Sequence, residues 1–362
     1  MESEKPASER RIWYNYQGQQ DAVDSNGTVY PGSKSTLFST SLVSKAGRVV
    51  GDVNGDPATD TQLAQWTYNS LGHPIQTVDP EGRVFTFVYD ANQIDLLEVW
   101  NTRVGQNVRL VKLSNYYSHR PQTIESGDGN VTQLLYNNRG QVTRITNPKN
   151  EIMEFVYNSV GFLTDIKQGG TLVNGQVTGS KVVAKYTSYR GSEALVGTVT
   201  TGDGSLPGGA AYTTTFSYDN LKRVKKITHP DNTYEEFTYT LLDLEWTRDR
   251  AGRMTRVRHD YAGRPYEITD PAQRVTLLDW CGCGHLESII DGEGRTTGFE
   301  YDINGRLTDK HFPDGQSWTF IPEIGSGRLK QKIDGRNQVT NYTYFLDDQL
   351  ATISYQNPLA PT

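Results

Sequence analysis

Thiols, long apolar runs and a surplus of positive charge are what this 362-residue chain lacks. Its 2 cysteines, Cys281 and Cys283, lie together, leaving no second cluster to complete the four-ligand shell of a structural zinc site. No apolar stretch approaches the ~18 residues of a bilayer-spanning helix. Lys and Arg total 36 against 42 Asp and Glu, a net charge of -6 spread without blocks, which argues against nucleic acid or an anionic membrane surface as the main partner. Aliphatic side chains are scarce as well: only 35% of residues are apolar, fewer than an ordinary single-core globule needs. Met1 to Arg11 is polar and charged with no apolar segment behind it, so it does not read as a secretory signal peptide. The six histidines are scattered, and nothing matches a nucleophile elbow, a phosphate-binding glycine loop or a zinc-protease helix. The expectation is therefore no catalytic residues, no enzyme activity and no cofactor.

What is abundant is punctuation and tyrosine. There are 35 glycines, 15 prolines, 21 tyrosines, 11 phenylalanines and 6 tryptophans. The tyrosines recur: Tyr68, Tyr89, Tyr136, Tyr157, Tyr218, Tyr239, Tyr301 and Tyr344, with His259 and Trp280, share one slot of a unit about 21 residues long. Two residues earlier each unit carries an apolar or aromatic side chain: Trp66, Phe87, Leu134, Phe155, Phe216, Phe237, Val257, Leu278, Phe299 or Tyr342. A spacing of two is the strand period, so slot and companion face the same side of a β-strand.

Turn formers follow the slot, most fully at Asp302-Ile303-Asn304-Gly305-Arg306, where Asp bonds its own backbone and Gly accepts positive φ. A second reversal comes about twelve residues after the slot, as in Asp79-Pro80-Glu81-Gly82, His229-Pro230-Asp231-Asn232, Asp270-Pro271-Ala272-Gln273 and Phe312-Pro313-Asp314-Gly315. Proline there cannot continue a ladder. Two turns and two short alternating runs make each unit a β-hairpin.

Tyr301 to Leu307 followed by Pro313 to Gly315 resembles the YD-repeat, or Rhs-repeat, family of bacterial surface and toxin-delivery proteins. Recognisable units run from about Trp66 to Tyr355, so the resemblance covers most of the chain. It implies an all-β fold in which tandem hairpins form part of a spiral, solenoid-like sheet, an open shell that in known members closes around a toxic C-terminal domain. It also implies a secreted or cell-surface location, and as partners the remaining segments of a longer shell or a toxin cargo. The segment rich in Arg and Asp-Pro-x-Gly turns that follows the array in full members, with its self-cleaving aspartates, is not among the 362 residues, and the expectation is a fragment of something longer.

Four stretches are expected. Residues 1–64 read as degenerate β repeats or a cap, 65–167 as regular hairpin repeats, 168–215 as a Gly/Thr/Ser-rich degenerate stretch or insertion, and 216–362 as regular repeats again. The slot aromatics Tyr68, Tyr89, Tyr136, Tyr157, Tyr218, Tyr239, Trp280, Tyr301 and Tyr344 are the expected structural anchors, stacked in ladders across strands.

Two constellations carry chemical alternatives. Cys281, Cys283 and His285 place two thiols and an imidazole within five residues, a weak metal or redox candidate. In repeat register they occupy an ordinary turn, and reduced or loosely paired, metal-free cysteines are expected. Asp52-Val53-Asn54-Gly55-Asp56 starts like a calcium loop, but Pro57 and Leu63 stand where glycine and a bidentate carboxylate belong. A second functional class, a cell-surface adhesin holding carbohydrate on aromatic planes, would need exposed tryptophans, and Trp13, Trp100, Trp246 and Trp318 are the positions to examine.

Overall fold

The computed structural model describes residues 2–4, 10–19, 21–23, 29–31, 41–50, 60–103, 105–202 and 212–356. The calcium-like run at Asp52 to Asp56 lies outside them. Every described element is a β-strand, and each strand pairing is antiparallel between sequence neighbours or near neighbours. The chain is thus all-β, as the two turns per unit require.

The chain divides into two compact units. The first comprises Met1–Lys112, Trp280–Ile289 and Arg295–Thr362. Its early ladder runs from Ile12–Tyr16 through Val43–Val49, Thr61–Tyr68, Pro74–Val78 and Val84–Tyr89 to Leu96–Arg103. Its late ladder runs from Thr296–Tyr301 to Leu350–Gln356. The second unit comprises Leu113–Asp279 and Ile290–Gly294, and its ladder is a meander from Arg120–Ser126 onward. Within it, Leu163–Gln168 pairs directly with Lys181–Thr187, while Thr171–Val173 and Gln176–Thr178 form a small hairpin outside the ladder. Beyond it, Lys181–Thr187, Thr198–Thr201 and Tyr212–Tyr218 continue the ladder by antiparallel pairing.

The slot residue coincides with a register shift. Pairing slips between Thr238 and Tyr239, and between the corresponding neighbours at Tyr136, Tyr157, Tyr218, His259, Tyr301 and Tyr344. At Tyr301 the turn closes as Gly305 N–H to Asp302 C=O, 2.9 Å, with φ of 76° at Gly305, so an L residue there is strained. This is a tight turn followed by a bulge, which bends the strand and increases its twist.

Packing is shallow. Among the described residues the buried apolar side chains are Tyr16, Val50 and Ile152, and none is less than 2% exposed. The slot and companion aromatics are half-buried throughout.

Candidate functional site

Sequence dictates the turn chemistry first. In the turn after Tyr218, Asp219 Oδ1 accepts the N–H groups of Leu221 at 2.8 Å and Arg223 at 3.0 Å, while Oδ2 accepts the Arg223 Nε at 2.8 Å. The same carboxylate–guanidinium fork recurs at Asp260 with Arg264, Asp270 with Arg274 and Asp302 with Arg306. Asn137 and Asn158 reproduce the backbone half of the pattern. For Asp249, Asp260 and Asp270 the N–H of the arginine four residues on, then its guanidinium, holds the carboxyl below its usual range.

The fork aims the arginine at the next unit. Arg223 lies 4.0 Å from the centroid of the Tyr239 ring and also donates to Leu241 C=O at 2.9 Å. Arg328 stands 4.8 Å over Tyr344. Histidine serves twice in the same place: the His73 ring stacks on Tyr89 at 5.7 Å and His285 on Tyr301 at 4.8 Å. The tyrosine hydroxyl then reaches back. Tyr136, Tyr157, Tyr239 and Tyr344 donate to the carbonyls of Pro121, Val142, Val224 and Leu329, each 15 residues earlier, at 2.7 to 3.0 Å. Tyr68 and Tyr218 make the equivalent bond across longer intervals, to Val43 and Val196. Burial raises the phenol pKa of Tyr68, Tyr89, Tyr157, Tyr218 and Tyr344. Tyr239 and Tyr344 are thus held by both a cation and a carbonyl of the preceding hairpin.

Trp280 ends Val275–Trp280 and is half-buried in the slot. Behind it, of the reduced or paired states expected for the cysteines, the paired one is found: a Cys281–Cys283 disulfide with Cα atoms 5.1 Å apart. Its sulfurs are no longer thiolates that can ligate a metal. Cys281 occupies the aspartate place, and its Sγ accepts the N–H groups of Cys283 at 3.1 Å and His285 at 3.3 Å. Among the described residues no group of three His, Cys, Asp or Glu is arranged to hold a metal ion.

Residues 284–320 match the model of the RHS Repeat family. That stretch is similar to an RHS repeat. No curated protein matches the sequence. Among solved structures, the chain is similar to the Photorhabdus luminescens Tc holotoxin pore, at 15% identity and a TM-score of 0.42, over 89% of this chain and 20% of that one. It is similar also to a TcdB2–TccC3–Cdc42 structure, at 13% identity and a TM-score of 0.43, over 97% of this chain and 23% of that one. A TcdB2–TccC3 structure without its hypervariable C-terminal region gives 14% identity and a TM-score of 0.43, over 96% and 21%. The chain spans about a fifth of the length of these solved chains.

The hairpin units also arrange groups that sequence reasoning passed over. Glu300, His311 and Ser317 sit on three successive strands, His311 Nε2 lying 3.0 Å from Glu300 Oε1 and its Nδ1 3.1 Å from Ser317 Oγ. The order is that of a serine hydrolase relay, but His311 and Glu300 are 46% and 66% exposed, without the dry enclosure that makes such a relay effective. The pairings Gly298 to His311 and His311 to Ser317 explain the cluster, which periodicity alone does not reveal. Of the four tryptophans, Trp13 is 46% exposed with Arg11 5.4 Å from its ring. Trp100 donates to Glu98, Arg256 covers Trp246, and Lys332 lies 3.4 Å from the Trp318 centroid with Phe312 edge-on.

Proposed function

We propose that this chain is a structural wall: a non-catalytic stretch of RHS repeats from a secreted or cell-surface shell that encloses or presents a C-terminal cargo such as a toxin. The observation that carries the reading is the inter-hairpin lock. At Tyr239 and Tyr344 the acid, arginine and tyrosine are engaged in fixing a turn and gripping the slot aromatic. A sheet held unit to unit, with little buried core, is suited to forming a barrier whose length is set by repeat number. Further repeat segments and the cargo are the partners that this role implies.

Carbohydrate recognition on aromatic planes draws less support, since Trp100, Trp246 and Trp318 are engaged by neighbouring side chains. The test of the wall reading joins an unstructured, protease-sensitive reporter after Thr362 and compares its cleavage with that of the free reporter. Slower cleavage, lost when Tyr239→Ala and Tyr344→Ala are combined, is the expected result. Cleavage at the free rate, or ester hydrolysis by the chain that disappears in Ser317→Ala, overturns it.

A further inference from the structure

We propose that Cys281 and Cys283 form a thiol-exchange site: a small free thiol attacks the exposed Cys283 sulfur, a mixed disulfide forms there, and Cys281 leaves as a thiolate held by the turn. Other copies of the turn show what its first place does. Asp260 Oδ1 accepts the N–H groups of Ala262 at 2.8 Å and Arg264 at 3.0 Å. Asp270 takes those of Ala272 and Arg274 at the same two distances, and Asp302 takes those of Asn304 at 2.9 Å and Arg306 at 3.0 Å. The first place of this reversal thus points two backbone donors at one anionic oxygen. At Asp260 and Asp270 the N–H four residues on is the main cause that holds the carboxyl below its usual range.

Cys281 stands in that place, and its donors come from the same two positions: Cys283 N–H, two residues on, at 3.1 Å, and His285 N–H, four residues on, at 3.3 Å. A disulfide sulfur is neutral and a weak acceptor, so these bonds contribute little while the disulfide is closed. Once Cys281 carries a negative charge they become charge-assisted, like those of the carboxylates. The turn therefore favours Cys281 as a thiolate over Cys281 as half of a disulfide, and a stabilised thiolate leaves faster.

Access points the same way. Cys281 is half-buried and Cys283 is exposed. A Cβ built on Gly282 or on Gly284 meets nothing within 4 Å beyond its chain neighbours, so neither glycine is backed by a wall that keeps an incoming sulfur from Cys283. Opening the S–S bond does not undo the reversal, because Cys281 N–H to His285 C=O at 2.9 Å and Gly284 N–H to Cys281 C=O at 3.0 Å close it through the backbone. In the exchange the thiol loses its proton to solvent, its sulfur bonds to Cys283 Sγ, and the electron pair of the broken S–S bond stays on Cys281. One disulfide replaces another, with no net oxidation and one thiol taken up per chain. A second thiol that attacks the added sulfur releases Cys283, and the two thiols depart as their own disulfide, oxidised as the chain is reduced. Open surroundings select for reactivity rather than for a particular substituent, which suits small thiols of the cysteine and glutathione kind.

The test treats the whole native chain with reduced glutathione at neutral pH, quenches with iodoacetamide and locates both groups by mass spectrometry of the digest. Glutathione is expected on Cys283 in about tenfold excess over Cys281, with the alkyl group on Cys281. Cys283→Ser and Cys281→Ser then separate the turn's contribution from access, read by the ultraviolet absorbance of the thiolate. Cys281 in the first variant is expected to show about tenfold more thiolate at neutral pH than Cys283 in the second. Unchanged thermal melts show that both keep the hairpin. Should Cys281→Ser melt early, Cys281→Asn, which copies the side chain at Asn137 and Asn158, replaces it. Glutathione shared equally or placed mainly on Cys281 overturns the proposal. So do equal thiolate fractions in the two variants, or a disulfide that glutathione leaves intact in the folded chain.

Discussion

At the turn after Tyr218, Asp219 gathers two backbone N–H groups on one oxygen and a guanidinium on the other; at the turn after Trp280, the sulfur of Cys281 gathers the two matching N–H groups and a disulfide replaces the guanidinium. The backbone is the same in both, with the first residue's N–H bonded to the carbonyl four residues on, at 3.0 Å for Asp219 and 2.9 Å for Cys281. Beyond the turn, Arg223 covers Tyr239 and His285 covers Tyr301. The unit therefore requires a shape and a flat cationic or aromatic cover, and two different chemistries supply them. One depends on ionisation and the other on oxidation state.

Acid separates the two turns most widely, because it acts on many carboxylate turns together. Asp219, Asp249, Asp260, Asp270 and Asp302 all have depressed pKa values, and Asp231, bonded first by the Thr233 hydroxyl and then by Arg250, is lowered to about 2. A depressed folded-state pKa gives stability that is present above the ordinary aspartate value and lost as pH falls through the depressed one. Amide exchange, corrected for intrinsic rates, is expected to accelerate at these turns between pH ~4 and ~2. The Cys281 turn should keep its protection longer. Equal loss at both kinds of turn would remove the distinction.

Truncating the shared element comes next. Tyr239→Ala removes a half-buried ring, a hydroxyl bond and the seat of Arg223, and about 2–3 kcal/mol of local stability is expected to go with them, toward the low end of aromatic truncations because the ring is not fully covered. Tyr239→Phe keeps the ring and should cost about 1 kcal/mol for the lost bond to Val224. If the two substitutions cost the same by denaturant unfolding, the ring contributes nothing and the slot has been misread. Reduction discriminates in the other direction: opening the Cys281–Cys283 loop is expected to cost about 1.5 kcal/mol on chain-entropy grounds and to loosen the strands beside Tyr301 while leaving those beside Tyr239 unchanged. Exchange that is insensitive to reductant at both sites would contradict this. The smallest effect belongs to the backbone. Lys222 holds φ of 67° where the Cys281 turn has Gly284, and Lys222→Gly is expected to stabilise its turn by about 0.5 kcal/mol, seen as a small rise in melting temperature.

Much of the fold was legible because its determinants are local. The strand period of Phe237 and Tyr239, the Asx turn at Asp302 and the proline turn at Pro313 each follow from a few adjacent residues, and together they dictate tandem hairpins. What covers each tyrosine was not legible. That depends on which carbonyl and which cation the pairing of successive hairpins brings beside the ring, contacts between residues 15 or more apart that the alternation of apolar and polar side chains does not mark. The Glu300, His311 and Ser317 cluster was missed for a related reason: its members are separated in sequence and meet only through strand register. At the Cys281 turn the expectation of reduced or loosely paired cysteines left the pairing open, since spacing places two sulfurs within reach without showing whether they are joined.

The grip on each slot tyrosine has a direction. Tyr157, Tyr239 and Tyr344 take both their cover and their carbonyl acceptor, where each has them, from the hairpin that precedes them in the chain. A polypeptide emerging from the ribosome thus presents every new tyrosine to a seat that has already been synthesised, and the array can set from its N-terminal side as fast as it is made. The two cuts of such an array are consequently unequal. Removing repeats from the C-terminus leaves each remaining tyrosine seated, whereas removing them from the N-terminus leaves the first one with nothing behind it.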